Sequence, residues 1–274
     1  MAMMPICTTR TTGRVQQPVF VRYGPTCRDN VEIRPDIARP SSNSIGTLQD
    51  VSAPGSQTRL YLQLAAGEGA EARLRSALAA AVIDAVMIAP PPGSHRDPAS
   101  LRALVALAQS HNAAALVEGD PSLAKAARAD GVHLPWSEAL EDAYDAARKA
   151  LGPDGIVGSE ASASRHDAMT LAEAGADYIA FARSAPGDDD GAPLAGQAEL
   201  VQWWAEIFEV PCVALGVRGI EEAAALARAG ADFLGIEAEA GLSPDAMSTR
   251  VRDIAAALQS AQSLSQDTLA RGKR

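Results

Sequence analysis

The chain has 274 residues, a formal net charge of −10 at neutral pH and a pI near 4.9. An acidic chain of this kind is a poor match for nucleic acid or an anionic membrane surface, so we expect neither as a partner. Hydrophobic residues make up 47% of the chain and aromatic residues 4%, which favours an Ala-, Val- and Leu-rich α/β protein. The length suits one β/α barrel of about 250 residues.

Neither the cysteines nor the N-terminal sequence indicates export. Cys7, Cys27 and Cys212 are too few and too scattered to imply a disulfide or metal framework. Residues 1–18 lack the apolar core of a signal peptide, and no apolar run reaches the roughly 18 residues of a membrane span. The sequence therefore predicts a soluble protein of the reducing cytoplasm.

Residues 1–57 differ in composition from the rest of the chain. Pro, Ser, Thr, Asn and Arg are scattered there without a helical or strand period, and residues 39–44 resemble a linker. We expect a disordered or loosely docked extension, or an overlong gene start. A single barrel is expected over 58–262, followed by a polar tail over 263–274.

From residue 58 onward, short apolar runs alternate with Ala-rich amphipathic segments. The expected strands are 60–64, 83–89, 114–117, 131–134, 156–159, 178–182, 212–215 and 233–236. The expected helices are 70–80, 98–110, 121–129, 137–151, 164–174, one that ends near 208, 220–229 and 244–261. Eight such units predict a (β/α)8 barrel with a parallel sheet covered by helices. An open doubly wound sheet ranks second because no Gly-rich dinucleotide fingerprint follows strand 1.

Four of the apolar runs open with an aspartate that directly follows an Ala-rich segment: Asp84, Asp130, Asp177 and Asp232. These aspartates recur at intervals of roughly 45–55 residues, which is the length of two β/α units. They therefore mark every second strand. Barrel enzymes place their active sites at the C-terminal ends of the strands, whereas these residues lie at strand starts, so we assign them no catalytic role.

Four phrases of the sequence resemble thiamine-phosphate synthase and its TenI-like relatives. They are RLYL at 59–62, ADGVHL at 129–134, GADYI at 175–179 and PCVALG at 211–216. They follow the family's order across residues 58–261, and ADGVHL is the most specific of them. The resemblance implies a (β/α)8 barrel that uses Mg²⁺ to join a pyrimidine pyrophosphate to a thiazole phosphate. It also implies small phosphorylated substrates as partners, and it leaves a homo-oligomer open.

The same resemblance implies functional residues at the C-terminal ends of the strands. The implied residues are Glu138, Glu118 and Asp120 for the metal, Gly216, Arg218, Gly219 and Gly235 for the substrate phosphate, and Arg183 and Ser159 for catalysis. Each group also has a plainer interpretation. The acids could be solvated residues at helix starts, 216–219 an ordinary βα turn, and Arg183 and Arg165 ordinary loop arginines. His133 is expected to be a packed core residue.

The sequence departs from the family where a pyrophosphate would bind. The family's Q-L-R-E-K supplies Arg and Lys at the end of strand 2, where this chain has Met87-Ile88-Ala89-Pro90-Pro91. The three lysines, Lys125, Lys149 and Lys273, lie on predicted helices or in the tail. Losing such cations removes transition-state stabilisation. Two hypotheses follow: a divergent thiamine-phosphate synthase, and a catalytically inactive or repurposed member that binds a small molecule or a partner protein.

Overall fold

The computed structural model describes residues 57–91, 98–161, 164–182 and 193–272. Eight parallel strands close into a barrel in sequence order, and a helix follows each strand. The prediction of a (β/α)8 barrel is confirmed. The predicted N-terminal extension lies outside the described residues except for Gln57.

Strands and helices alternate without interruption along the barrel. The strands are β1 Arg59–Ala65, β2 Ala85–Ala89, β3 Ala114–Glu118, β4 Gly131–Leu134, β5 Ile156–Glu160, β6 Tyr178–Phe181, β7 Cys212–Val217 and β8 Phe233–Ala238. The helices are α1 Ala70–Ala80, α2 Pro98–Ser110, α3 Pro121–Ala127, α4 Leu140–Leu151, α5 Arg165–Ala174, α6 Pro193–Ile207, α7 Ile220–Arg228 and α8 Pro244–Gly272. In the described part of the chain, no helix combines the length and the apolar character needed to cross a membrane.

Side chains alternate between the two faces of each strand, which gives the barrel two separate cores. Residues such as Tyr61, Leu116 and Phe233 fill the inside of the barrel. Residues such as Leu62 and Val117 point outward and pack against the helices. Many of the residues on the buried helix faces are alanines, such as Ala77, Ala108 and Ala147.

The repeated aspartates tie strands together in pairs. The carboxylate of Asp130, just before β4, accepts a hydrogen bond from the backbone N–H of Ala115 in β3 at 2.7 Å. Asp177 and Asp232 accept equivalent bonds from the backbones of β5 and β7, at 2.7 and 2.8 Å. These bonds lie at the N-terminal ends of the strands, away from the mouth of the barrel. The 45–55-residue repeat therefore reflects how the barrel is held together.

Some element boundaries differ from the sequence prediction. Helix α4 begins at Leu140 rather than at 137, with Ala139 at its N-cap and no side-chain cap. Helix α8 continues to Gly272, through most of the segment predicted as a polar tail, because residues 262–272 contain several good helix formers. Strands β3 and β5 each extend one residue further than predicted, to Glu118 and Glu160. Those two extensions shape the candidate site.

Candidate functional site at the barrel mouth

Four polar residues, Gln63, Glu118, Glu160 and Glu237, form what we call the mouth of the barrel. The four residues lie on β1, β3, β5 and β8. Each comes two residues later in its strand than a residue that faces the inside of the barrel. Because strand side chains alternate with a period of two, all four face the barrel axis. Gln63 and Glu237 are also neighbours in the register of β1 and β8. The mouth is half-buried and carries three carboxyl groups.

Burial perturbs two of these carboxyl groups. Desolvation raises the pKa of Glu118. Desolvation also raises the pKa of Glu160, and the charge of Glu118 raises it further. The two carboxylates therefore repel each other across the mouth. Such a site disfavours a negatively charged ligand and favours a cation or a hydrogen-bond donor.

Two arginines at the rim, Arg218 and Arg250, are already paired with carboxylates. Arg218 Nε donates to Glu237 Oε2 at 2.8 Å and lies 3.9 Å from Glu239 Oε1. Arg250 Nη1 donates to the Glu237 carbonyl at 2.9 Å and lies 3.4 Å from Glu239 Oε1. An anionic ligand at this rim would compete with Glu237 and Glu239 for both guanidinium groups.

The predicted phosphate-binding turn, residues 216–219, lies between β7 and α7. Gly216 adopts a left-handed backbone with φ of 77°, and its N–H donates to Gln63 Oε1 at 2.7 Å. The Arg218 N–H donates to Glu222 Oε2 at 2.9 Å. Gly219 is the N-cap of α7, whose first turn carries Glu221 and Glu222. Acceptors from the chain itself thus occupy two of the amides that a phosphate would use, and the acidic first turn opposes an anion.

Gly235, the remaining predicted phosphate-binding residue, lies inside the barrel on β8. A Cβ atom at this position would come within 2.9 Å of Leu215 Cδ2 and 3.2 Å of the Ala214 carbonyl oxygen. The glycine therefore permits a close approach of β7 and β8. It also lies two residues before Glu237, one step deeper than the mouth.

The three predicted metal ligands do not come together. Asp120 caps α3, and its Oδ1 accepts from the backbone N–H groups of Ser122 and Leu123 at 2.9 and 3.2 Å. Glu138 is exposed and lines a groove between the loop after β4 and helix α5. Among the described residues, no three Asp, Glu, His or Cys side chains form a group that could hold a metal ion. Glu118, Asp120 and Glu138 thus do not form one three-carboxylate site, and Mg²⁺ binding by Glu138 with Glu118 or Asp120 stays a prediction.

Ser159 does not face the mouth. Its Cα is paired with those of Leu134 and Ile179, both part of the outer core, and its side chain is fully buried on that outer face. Its Oγ has no hydrogen-bond partner in the part of the chain that the structure describes. The next residue, Glu160, reaches the mouth instead. Sequence reasoning missed Glu160 because it ended the strand at 159, although alternation counted from Gly158 predicts the correct face.

The two predicted basic residues have different outcomes. Arg183 lies outside the described residues. Arg165, at the start of α5, lies with its guanidinium carbon 4.8 Å from the centre of the Trp203 ring. That cation–π contact directs Arg165 toward α6.

A polar chain crosses the inside of the barrel below the mouth. His133 Nδ1 lies 2.8 Å from Tyr178 Oη, which lies 3.1 Å from Tyr61 Oη. The His133 and Tyr178 rings are also stacked, with centroids 5.9 Å apart. Burial lowers the pKa of His133 to about 4 and raises the pKa of Tyr61. His133 is thus a neutral core residue, as expected, but it belongs to a hydrogen-bonded network that the sequence did not reveal.

The groove that contains Glu138 is separate from this chain of rings. Trp136 forms one wall, is 46% exposed and donates from Nε1 to Asp167 Oδ2 at 3.2 Å. Glu138 and Glu141 line the remainder of a space of about 270 Å³. Its carboxylates make it unsuitable for a phosphate.

Comparison with known proteins identifies relatives across most of the barrel. Residues 68–237 match the family model described as thiamine monophosphate synthase. The thiamine-phosphate synthase of Rhodospirillum centenum is 40% identical over 143 residues, which cover 51% of this chain and 68% of that protein. The thiamine-phosphate synthase of Hyphomonas neptunium is 36% identical over 158 residues, which cover 58% of this chain and 70% of that protein.

Solved structures support the fold. A thiamine phosphate pyrophosphorylase from Pyrococcus furiosus superposes with a TM-score of 0.58 at 20% identity, covering 74% of this chain and 96% of that chain. A tryptophan synthase chain from Mycobacterium tuberculosis superposes with a TM-score of 0.61 at 19% identity, covering 80% of this chain and 99% of that one. At such low identity these similarities concern the barrel architecture alone.

Proposed function

Because the chain belongs to the thiamine monophosphate synthase family, we propose that it acts in the cytoplasm as a divergent thiamine-phosphate synthase. The reaction joins a hydroxymethylpyrimidine pyrophosphate to a thiazole phosphate and releases pyrophosphate. Small phosphorylated molecules are then the partners of the barrel mouth.

One observation carries this proposal: the family match, over residues 68–237, includes β2 to β7 in full, all but the last residue of β8, and three of the four mouth residues. The relatives named thiamine-phosphate synthase are 36–40% identical over long stretches of the chain. The turn at 216–219 also opens α7, where a phosphate that displaces Gln63 Oε1 from the Gly216 N–H and Glu222 Oε2 from the Arg218 N–H would accept from both backbone N–H groups.

The experiment is a synthesis assay with the full chain, the two substrates, and either Mg²⁺ or a chelator. In the reaction with Mg²⁺ we expect thiamine phosphate and pyrophosphate to form in equal amounts. Arg183→Gln should lower the rate at least tenfold if Arg183 supplies a missing cation, because one charged hydrogen bond contributes about 1.5–3 kcal/mol. Arg252→Gln is the matched control, since Arg252 lies on α8 and donates to Ser248 Oγ. No product with the wild-type chain would refute the proposal.

The acidic mouth favours a second candidate, a repurposed member that binds a small molecule other than a pyrophosphate. Glu118 and Glu160 repel each other there, and Arg218 and Arg250 are paired with acids. Calorimetric titration with inorganic pyrophosphate separates the two candidates. Saturable binding at micromolar concentrations supports the synthase, whereas no binding together with no product supports the repurposed member.

A further inference from the structure

The chain of His133, Tyr178 and Tyr61 inside the barrel has a definite proton count. Among the described residues, these three side chains make only two hydrogen bonds. One joins His133 Nδ1 to Tyr178 Oη at 2.8 Å, and the other joins Tyr178 Oη to Tyr61 Oη at 3.1 Å. All three residues are nearly sealed from solvent, with exposures of 1, 2 and 1%. A buried polar hydrogen without an acceptor costs about 1–3 kcal/mol, so the favoured arrangement leaves as few as it can.

Two proton arrangements in which the bonds run in one direction along the chain fit these distances; if His133 and Tyr61 both donate to Tyr178 instead, the Tyr178 hydroxyl hydrogen has no acceptor. In the first, Tyr61 donates to Tyr178, and Tyr178 donates to Nδ1 of His133, so every hydroxyl hydrogen has an acceptor and the ring proton sits on Nε2. In the second, Nδ1–H donates to Tyr178, Tyr178 donates to Tyr61, and the Tyr61 hydroxyl hydrogen is left in the apolar interior with no acceptor. Only the first arrangement gives both hydroxyl hydrogens an acceptor, and the one polar hydrogen that it leaves without a partner among the described residues is Nε2–H at the edge of the His133 ring.

The other ring nitrogen of His133 remains available. Nε2 makes no hydrogen bond with the described residues, and it is not one of the sealed side-chain atoms that lack a partner. The small exposed area of the ring therefore includes Nε2. His133 is paired in register with Glu118 of the mouth, so its backbone lies beside the mouth layer.

We propose that Tyr178, oriented by Tyr61, holds His133 as the Nε2–H tautomer, so that His133 offers a hydrogen-bond donor to a ligand in the barrel. The two tyrosines are positioning residues. The ligand must then present an acceptor atom, such as a ring nitrogen or an oxygen, and His133 cannot act there as a base through Nε2. This inference does not depend on the proposed reaction.

The surroundings favour a neutral ring. The strand neighbour on the β5 side is Gly158, which carries no charge and whose missing side chain makes room for the Tyr178 ring. The charged group nearest in register is Glu118, and within the described ranges no carboxylate makes a hydrogen bond to the ring. Burial holds the pKa of His133 near 4, so the ring is neutral at pH 7.

The test is nitrogen NMR of the full chain labelled with ¹⁵N-histidine, which has only four histidines. Loss of one signal set in His133→Gln assigns that residue. At pH 7 we expect His133 to show a protonated Nε2 and an unprotonated Nδ1. A protonated Nδ1 with a bare Nε2, a charged ring, or an equal mixture of tautomers in the wild-type chain would overturn the proposal.

Variants test the role of each tyrosine. Tyr178→Phe should convert His133 to a mixture of tautomers, whereas Tyr61→Phe should leave the Nε2–H form dominant, because Tyr178 can still donate. Tyr144→Phe is the control: Tyr144 is equally buried but donates to the Ala174 carbonyl outside the barrel, so the His133 signals should not move. If Tyr178→Phe does not fold, the wild-type spectrum still decides. An unchanged spectrum in folded Tyr178→Phe would show that Tyr178 does not select the tautomer.

Discussion

At the scale of single residues, the character of the mouth depends on which of two neighbours faces the barrel axis. Ser159 faces the helices, and Glu160 faces the mouth. A shift of one residue along a strand exchanges the two faces of the strand. The mouth therefore contains the carboxylate of Glu160 where the sequence predicted the hydroxyl of Ser159. Together with Glu118 and Glu237, Glu160 makes the mouth acidic, which is the main chemical departure from a site for pyrophosphate.

Removing a mouth carboxylate should stabilise the protein at neutral pH. The folded-state pKa values of Glu118 and Glu160 are raised, so each group favours folding most below its unfolded pKa and loses that contribution as pH rises through the folded pKa. Glu118→Gln and Glu160→Gln should therefore raise Tm above wild type at pH 7, and the gain should vanish near pH 4. Thermal unfolding between pH 4 and 8 measures this, with exposed Glu173→Gln as control. A gain independent of pH would contradict it.

A methyl group at Gly158 should destabilise the barrel, because its Cβ would overlap the ring carbons of Tyr178. We expect Gly158→Ala to lower the free energy of unfolding by about 1–3 kcal/mol. Gly196→Ala is the matched control. A Cβ at Gly196 meets nothing within 4 Å on helix α6, so that variant should gain about 0.5–1 kcal/mol. Urea unfolding compares the two, and equal effects would mean that the space at Gly158 is not limiting.

At the scale of elements, side-chain bonds join the odd strands to the even strands that follow them. The aspartates before β4, β6 and β8 accept from backbone N–H groups of β3, β5 and β7. Asp177 also accepts from Arg148 Nη2 at 2.6 Å, which links α4 to the same junction. The sequence predicted that these aspartates recur and that they lie at the end of the barrel opposite the active-site face, because the residue spacing reflects the order of the elements. It could not predict the hydrogen bonds, which require the strand register.

Breaking one of these junctions should cost stability through a buried, unpaired amide. Asp232→Ala leaves the N–H of fully buried Cys212 without its acceptor, so we expect a loss of about 1–3 kcal/mol. Asp232→Asn keeps an acceptor oxygen and should lose less. Hydrogen exchange of the Cys212 amide, together with urea unfolding, measures the effect, and exposed Asp253→Ala serves as the control. Equal losses for Ala and Asn would indicate that the charge matters, and not the hydrogen bond.

At the scale of the whole molecule, the fold was predictable and the site was only partly so. Eight apolar runs with helical segments between them can close in few ways, so the barrel followed from the order of elements. The expected metal ligands lie at different places, because Asp120 caps α3 and Glu138 lies in the Trp136 groove, and these places depend on where each loop turns. Motif positions identify a strand end, but they do not say whether a side chain there caps a helix or faces the mouth.

The net charge of −10 makes anion binding at the mouth a question of local cations. Ala89 occupies an inward position at the end of β2, two residues beyond Met87 of the inner core. The double variant Ala89→Arg with Glu118→Gln should strengthen inorganic pyrophosphate binding about tenfold or more, because a charged hydrogen bond contributes about 1.5–3 kcal/mol. Added salt should weaken that gain.

Its control changes the net charge equally but elsewhere. Val82→Arg with Glu173→Gln adds the cation at an 81% exposed residue before β2, at the opposite end of the barrel, and removes an acid from the surface of α5. Calorimetric titration of both double variants with pyrophosphate, at low and high salt, compares them. If affinity rises equally in both, overall charge governs binding. A rise confined to the mouth variant means that the acidic mouth and the missing strand-2 cation limit pyrophosphate binding, because only that variant changes the field where the ligand enters.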